Sequence, residues 1–210
     1  MKNIFTALSI LISTLFASAF AQSSVLGGNK LNRDHVHHVG AGWPSVFYEY
    51  WMSAGGSMDW AVGGEFVYGD YVGYQSDVDL GFGINVPMKW HLNSFRNGDL
   101  ALKFNPGFLI ADAGQTVFGI RAEIGMPVSL RVHRNVNLIT GGAIPFTIII
   151  PDSGSSIKYI PFYGRIGAEF NIARNIVPTV LLEMGPVIAT GGGNSDTGFG
   201  VRFSASALLF

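Results

Sequence analysis

The feature that most restricts the fold is a strict alternation of apolar and polar residues between Val78 and Leu92. Eight apolar side chains occupy eight alternate positions there, and Gly, Asn, Asp, Lys, His and Pro residues fill the positions between them. A helix repeats every 3.6 residues and would not keep these apolar residues on one face, whereas a strand repeats every two. The segment from Phe118 to Val132 has the same pattern. Both segments are therefore predicted to be long strands with one apolar face.

Weaker alternation elsewhere predicts eight more strands, which makes ten in all. We expect them at 36–42, 46–52, 60–71, 100–111, 136–150, 159–173, 176–190 and 198–210. Similar turn sequences, three of them containing Arg-Asn, lie near residues 57, 96, 134 and 174, at intervals of about 40 residues. Two strands and two turns per repeat indicate an all-β fold, an up-and-down antiparallel meander closed into one barrel. Eight strands would also satisfy the even-number rule, if residues 22–57 form a separate segment.

Residues 1–21 have the organisation of a secretory signal peptide. Lys2 supplies a positive start, an apolar stretch follows, and Ala19-Phe20-Ala21 matches a small-x-small cleavage site. We therefore expect export and cleavage after Ala21, a lead-in at 22–35 and a single barrel domain at 36–210. The chain contains no cysteine, so no disulfide can stabilise this barrel.

The amount and placement of charged residues predict which face of the barrel wall, apolar or polar, is on the outside. Only 13% of the residues are charged, about half the ~25% of an ordinary soluble domain. A charge facing the middle of a lipid bilayer costs about 2–4 kcal/mol, and charges in a confined interior must pair because an isolated buried charge is costly. We therefore expect a transmembrane barrel whose apolar face meets lipid and whose interior holds a network of charges: Glu49, Glu65, Lys103, Arg121, Glu123, Arg165, Glu169, Glu183 and Arg202.

Aromatic residues gather near the ends of the predicted strands, as in the interfacial girdles of membrane barrels. Beyond the first twenty residues, no apolar run approaches the ~18 residues that a spanning helix needs. Lys and Arg (13) balance Asp and Glu (14) without a basic cluster, which argues against nucleic-acid binding. Two aromatic girdles are predicted, one at each rim: Trp51, Trp60 and Trp90, and Tyr68, Tyr71, Tyr74 and Tyr159.

The five histidines do not form a recognisable catalytic or metal-binding set. His35 and His37 share a face of the first predicted strand, but two imidazoles alone do not make a metal site. His91 and His133 lie beside predicted turns without an accompanying serine motif. The glycine-rich segment 191–197 lacks the Lys and the following helix of a phosphate loop, and is predicted to be a flexible loop. We therefore predict no catalytic residues, no metal and no cofactor.

The signal peptide, the meander and the terminal Phe210 together resemble the small outer-membrane β-barrels of Gram-negative bacteria, namely the OmpX-like and OmpW-like families and the OmpA transmembrane domain. The resemblance covers residues 36–210 and is one of architecture. It implies that the barrel-insertion machinery reads Phe210, and that both chain ends and the Arg-Asn turns lie in the periplasm. Phe210 is in phase with Arg202, however, so a bulge is needed if Phe210 faces lipid.

Six prolines within the predicted strands are also unusual and are expected to cause bulges or kinks: Pro87, Pro106, Pro127, Pro145, Pro161 and Pro186.

These features predict a monomeric, integral outer-membrane protein of structural or narrow-pore type, without enzymatic activity. Its partners would be outer-membrane lipids, lipopolysaccharide and the insertion machinery, and not nucleic acid. A filled interior and a slender polar lumen both fit the inner charges, since eight strands are just filled by side chains and ten leave more room. Two other classes stay open: a soluble periplasmic barrel that binds an apolar ligand, and an outer-membrane hydrolase that modifies lipid.

Overall fold

The computed structural model describes residues 24–69, 80–112 and 114–210, and within these ranges every regular element is a β-strand. The predicted signal peptide at 1–21 lies outside the described residues. Twelve segments follow one another along the chain: β1 (His35–Trp43), β2 (Ser45–Ser53), β3 (Met58–Val67), β4 (Leu80–Asn85), β5 (Met88–Phe95), β6 (Gly98–Asp112), β7 (Thr116–His133), β8 (Val136–Pro151), β9 (Ile157–Pro161), β10 (Tyr163–Phe170), β11 (Ile176–Gly191) and β12 (Asn194–Leu209).

The twelve segments form a closed antiparallel barrel with ten strand positions. Neighbouring segments pair along the chain, and β12 pairs with β1 from Leu209 opposite His37 to Phe203 opposite Trp43. Segments β4 and β5 share one position between β3 and β6, and β9 and β10 share one position between β8 and β11. The predicted all-β, ten-stranded barrel is thus confirmed.

The in-strand prolines do not shift the pairing register. Where Pro87 separates β4 from β5, its carbonyl accepts a hydrogen bond from Ala61 N at 2.8 Å, and Val86 N donates to Pro106 O at 2.9 Å. The second interruption is bridged in the same way, because Phe162 N donates to Pro186 O at 2.8 Å. The proline carbonyls therefore keep the ladder continuous although their nitrogens cannot donate. The registers that shift do so elsewhere, at residues 91–93 and 131–133. Of the two expected irregularities, bulges are therefore wrong for the prolines, whereas the strands are locally interrupted at 86–87 and at 162.

In the last hairpin, the bulge that Phe210 would need in order to face lipid is absent, and the expectation of a loop is wrong. The pairing of β11 with β12 runs without a shift from Ile176 opposite Leu209 to Gly191 opposite Asn194, so the strand contains no bulge that would turn Phe210 outward. The segment 191–197 is not a flexible loop, because only residues 192 and 193 lie outside the two strands. Gly192 and Gly193 have φ angles of 58° and 84° and form a two-residue turn of the kind that matches the twist of a hairpin, and β12 begins directly after them.

Side chains alternate between the two faces of the barrel wall. On β6, Phe108 and Ile110 are 56% and 58% exposed, whereas Leu109 between them is fully buried. The same alternation turns large apolar side chains outward all around the barrel and turns the nine predicted inner charges inward, whereas charges nearer the rims such as Lys158 and Arg131 are exposed. The outward set includes Phe82, Ile84, Ile124, Ile144, Ile166, Val180 and Phe203.

The two ends of the barrel differ in what fills them. We call the rim with the turns at 54–57, 96–97, 134–135 and 174–175 the lower rim, and the rim with Pro44 and the turns at 152–156 and 192–193 the upper rim. An upper apolar cluster fills part of the lumen with Val67, Leu109, Ala111, Val117, Ile149, Tyr159, Tyr163 and Val187. A lower apolar cluster consists of Val25, Leu26, Leu31, Val36, Trp51, Ala61, Ile139, Val177, Leu181 and Leu208.

Three members of the lower cluster belong to the chain before β1. The segment expected as a lead-in does not stay outside the barrel, since Val25, Leu26 and Leu31 are buried with inward-facing strand residues. We call residues 24–31 the plug. The described part of the chain has no helix that is long and apolar enough to cross a membrane.

Candidate functional site

A polar cavity of about 150 Å³ lies inside the barrel above the plug, and we call it the polar chamber. Its lining extends from Leu26 of the plug to Pro44 and Ser45 at the upper rim. Eight of the nine predicted inner charges line this chamber. The ninth, Glu169, also points inward but lies lower, where it contacts the plug.

One wall of the chamber is a network of two guanidinium groups and two carboxylates. Arg165 Nε donates to Glu183 Oε1 at 2.5 Å, and Arg165 also donates to Glu123. Arg202 contacts the other oxygens of the same carboxylates, at 2.7 Å from Glu183 Oε2 and 3.4 Å from Glu123 Oε2. The four residues come from β7, β10, β11 and β12, and all four side chains are largely buried. Each carboxylate thus meets two cations, which offsets the cost of removing these charges from water.

A second ion pair joins the wall to a strand further round the barrel. Arg121 on β7 donates to Glu65 on β3, three strand positions away, and both side chains are mostly buried. A contact between strands so far apart has to cross the lumen. The chamber is therefore narrow and is lined by charges of both signs.

Glu49 organises a third group of polar side chains at the chamber. Its carboxylate accepts hydrogen bonds from Trp51 Nε1 at 2.8 Å and from Asn85 Nδ2 at 3.2 Å, and it lies 2.9 Å from His38 Nδ1. Lys103 Nζ stands 5.9 Å from the centre of the Trp51 ring, a distance that allows a cation–π interaction. The sequence reasoning missed His38 and Asn85, although Asn85 lies on the polar face of the alternating segment Val78–Leu92.

The plug is held in the lower lumen by side chains from several strands. Lys89 Nζ donates to the carbonyl oxygens of Ser24 and Asn29, the latter at 2.7 Å, and His91 Nδ1 lies 3.0 Å from Gly28 O. On β7, two strand positions away from β5, the Ser129 hydroxyl oxygen accepts a hydrogen bond from Gly28 N at 2.9 Å.

Two carboxylates complete the attachment of the plug. Asp59 Oδ2 accepts from Leu31 N at 3.1 Å and lies 2.8 Å from His91 Nε2 and 3.6 Å from Lys89 Nζ. Glu169 accepts from the hydroxyl of Ser24. These attachments were not predicted, because the plug has no periodic pattern that would link it to the barrel.

The predicted aromatic girdles are placed only in part as expected. Trp60 and Trp90 lie on the outer face of the lower half, and Tyr68 lies on the outer face near the upper rim, where its hydroxyl donates to Gly42 O. Tyr71 and Tyr74 lie outside the described residues. Trp51 and Tyr159 do not lie in a girdle, since they are only 0% and 4% exposed and point into the lumen.

The inward position of Trp51 has a clear physical reason. It is two residues from Glu49 on the same strand, so both side chains share one face, and Glu49 satisfies the indole N–H. Its partners across the sheet are the small or medium residues Val36 and Ala61. Tyr159 likewise packs among the side chains of the upper cluster.

The histidines are separated by the barrel wall. His37 lies on the outer face, with Nδ1 2.7 Å from the Tyr48 hydroxyl, whereas His38 points into the chamber. In residues 24–69, 80–112 and 114–210, no group of three or more His, Cys, Asp or Glu side chains could hold a metal ion. His91 is not a rim histidine but an attachment of the plug.

At the chain end, Phe210 packs against the lower cluster, with the Arg33 guanidinium 5.5 Å from its ring centre.

No protein-family model matches this chain, and no curated protein sequence matches it either.

Proposed function

We propose that this chain is an integral β-barrel protein of the outer membrane of a Gram-negative bacterium, with a structural or narrow-pore role and without enzymatic activity. The observation that carries the proposal is the reversed polarity of the barrel. Large apolar side chains such as Phe82, Phe108 and Ile110 are more than half exposed, whereas the charges lie inside. A soluble monomer rarely exposes an apolar patch larger than a few hundred Å², and a continuous outer belt is suited to lipid.

The alternative of a soluble barrel with an apolar ligand has less support from the interior. Such a barrel needs an apolar cavity and a polar exterior, but the chamber is lined by four carboxylates and four cationic side chains. An apolar ligand would displace the hydration of these charges without replacing it, which is unfavourable.

The alternative of a lipid-modifying hydrolase requires a histidine that is available to a nucleophile. Of the two histidines in the lumen, His91 uses one ring nitrogen on Asp59 and the other on Gly28 O. His38 points into the chamber with Nδ1 2.9 Å from Glu49 Oε2, and it is only 1% exposed, with no serine or threonine hydroxyl hydrogen-bonded to its ring in the described residues. These contacts favour structural roles for both.

The expected partners are outer-membrane lipids, lipopolysaccharide and the barrel-insertion machinery, with the protein itself monomeric. Cell fractionation tests the proposal. We expect the protein in the membrane pellet after an alkaline carbonate wash, soluble only in detergent, and faster on an SDS gel before boiling than after it. Recovery of folded protein from the soluble periplasm without detergent would contradict membrane insertion and favour the apolar-ligand alternative.

Planar-bilayer conductance separates the pore role from the structural role. Arg121→Ala removes a guanidinium and its contact with Glu65 across the chamber, so a pore should conduct more after this change. Glu123→Ala is the companion probe, because it removes a carboxylate two residues from Arg121 on the same strand and therefore changes the lining charge in the opposite sense. A correctly inserted barrel that conducts in neither variant would exclude the pore and leave the structural role.

A further inference from the structure

We propose that the plug is a gate, and that its withdrawal joins the polar chamber to the lower mouth of the barrel. This inference rests on the proposed narrow-pore function and adds the element that opens and closes the pore. By the family resemblance, the lower mouth is the periplasmic one. The solutes that would pass are small ions and small polar molecules, since the chamber is narrow and carries charges of both signs.

The first support is the position of the plug. Leu26 forms part of the chamber lining, so the plug is the floor of the chamber. Val25 and Leu31 are buried beside it against Trp51 and Ala61 of the barrel. With the plug in place, apolar side chains close the lumen below the ion-pair network.

The second support is the kind of attachment. Residues 24–31 belong to no strand, and their polar contacts run to side chains such as Lys89, Ser129 and Asp59. The ring of paired strands is complete without the plug, because β12 pairs directly with β1. The plug can therefore leave without breaking a ladder hydrogen bond of the barrel.

The third support is the character of the wall behind the plug. The plug covers four ionisable or polar side chains of the wall, Lys89, Asp59, His91 and Glu169. Three of these groups contact one another, with Asp59 2.8 Å from His91 and 3.6 Å from Lys89. They would remain as a charged lining continuous with the chamber after the plug has left.

The buried carboxylate of Glu169 raises the free energy of the closed state, in which the plug occupies the lower lumen. It is 1% exposed and accepts from Ser24 and, at 3.5 Å, from Asn137. Within the described ranges, no cationic group lies within ion-pair distance of its carboxylate. Withdrawal of the plug would return water to this carboxylate, which favours the open state and balances the apolar contacts that favour the closed one.

A disulfide that fixes the plug tests the gate. The chain has no cysteine, so a pair of introduced cysteines has no competitor. A Cβ built on Gly27 lies 3.4 Å from Ser129 Cβ, close to the ~3.5–4.5 Å of natural disulfides. We would reconstitute the full-length barrel carrying G27C and S129C in planar bilayers and compare conductance before and after reduction. The expected result is loss of conductance in the oxidised barrel and its return on reduction.

Matched controls isolate the plug from general redox effects. The variants G27C and S129C alone should each show the same conductance before and after reduction, whatever their basal level. The pair T190C and S195C joins opposed residues of the β11–β12 hairpin at the upper rim, away from the plug, and oxidation should leave its conductance unchanged. Lys89→Met removes the donor to two plug carbonyls and should raise the open fraction.

The outcomes separate the gate from the proposed function. Equal conductance of the oxidised and reduced G27C and S129C barrel, with the disulfide verified by thiol titration, would overturn the gate. A barrel that inserts and unfolds normally but conducts in neither state would also overturn it, and membrane insertion would still stand. Failure to enter bilayers or membranes at all would instead contradict the proposed function.

Discussion

Replacing Arg165 by methionine should strongly destabilise the barrel. The Arg165 side chain is 3% exposed and lies between Glu123 and Glu183, whose side chains are 13% and 10% exposed. Breaking a buried ion pair by removing one partner costs about 3–5 kcal/mol. Arg202 remains in contact with both carboxylates, so we expect a loss near the lower end, about 3 kcal/mol in the free energy of unfolding.

Urea unfolding of the barrel in lipid vesicles measures this loss. Lys158→Met is the control, because Lys158 is an exposed cation on β9, and its replacement should change the free energy of unfolding by no more than about 0.5 kcal/mol. The combination of Arg165→Met with Glu123→Gln should recover much of the loss, since it removes the one uncompensated negative charge and leaves Arg202 paired with Glu183 at 2.7 Å. An Arg165→Met barrel within about 0.5 kcal/mol of the unchanged protein would refute the role of this network in stability.

Three further changes test other parts of the structure. Ile110→Arg puts a charge on the outer belt and should lower the free energy of unfolding in vesicles by about 2–4 kcal/mol. The control Gln115→Arg, at the upper rim, should leave it nearly unchanged. Equal effects of the two changes would contradict a lipid-facing belt. Trp51→Phe removes the indole donor to Glu49 and should cost about 2 kcal/mol in the same assay, against little change for Trp60→Phe on the outer face. Lys89→Met should speed tryptic cleavage of the plug about tenfold or more. The reason is that a charge-assisted hydrogen bond contributes about 1.5–3 kcal/mol to the stability of the closed plug. An unchanged cleavage rate would mean that Lys89 does not hold the plug.

The barrel could be predicted because its pattern is local. Alternation with a period of two is visible within a single strand, as from Val78 to Leu92, and it needs no knowledge of the partner strand. The same alternation predicts that Glu123 and Arg165 share the face opposite the apolar one. The choice of ion-pair partners is different, since Arg121 contacts Glu65 only because β3 and β7 face one another across the closed lumen.

The plug could not be predicted from a pattern. Residues 24–31 form no strand, and their contacts with Lys89 and Ser129 join positions about sixty and one hundred residues away along the chain. Lys89 itself has the inward phase of its strand, but alternation does not tell which carbonyl oxygens an inward ammonium will meet. For Trp51, a local pattern was available but the prediction followed the residue type instead. Its type suggested a rim position, and its phase with Glu49 was the better guide.

Contact of the outer belt with lipid is the central claim, and a nitroxide at one belt position tests it most directly. The label would be attached to Phe108→Cys in barrels reconstituted in lipid vesicles, with Asp152→Cys in an upper turn as the reference. At position 108 we expect frequent collisions with oxygen, which concentrates in lipid, and few with a water-soluble nickel complex; position 152 should show the reverse. Nickel collisions at position 108 as frequent as those at position 152 would contradict a lipid-facing belt.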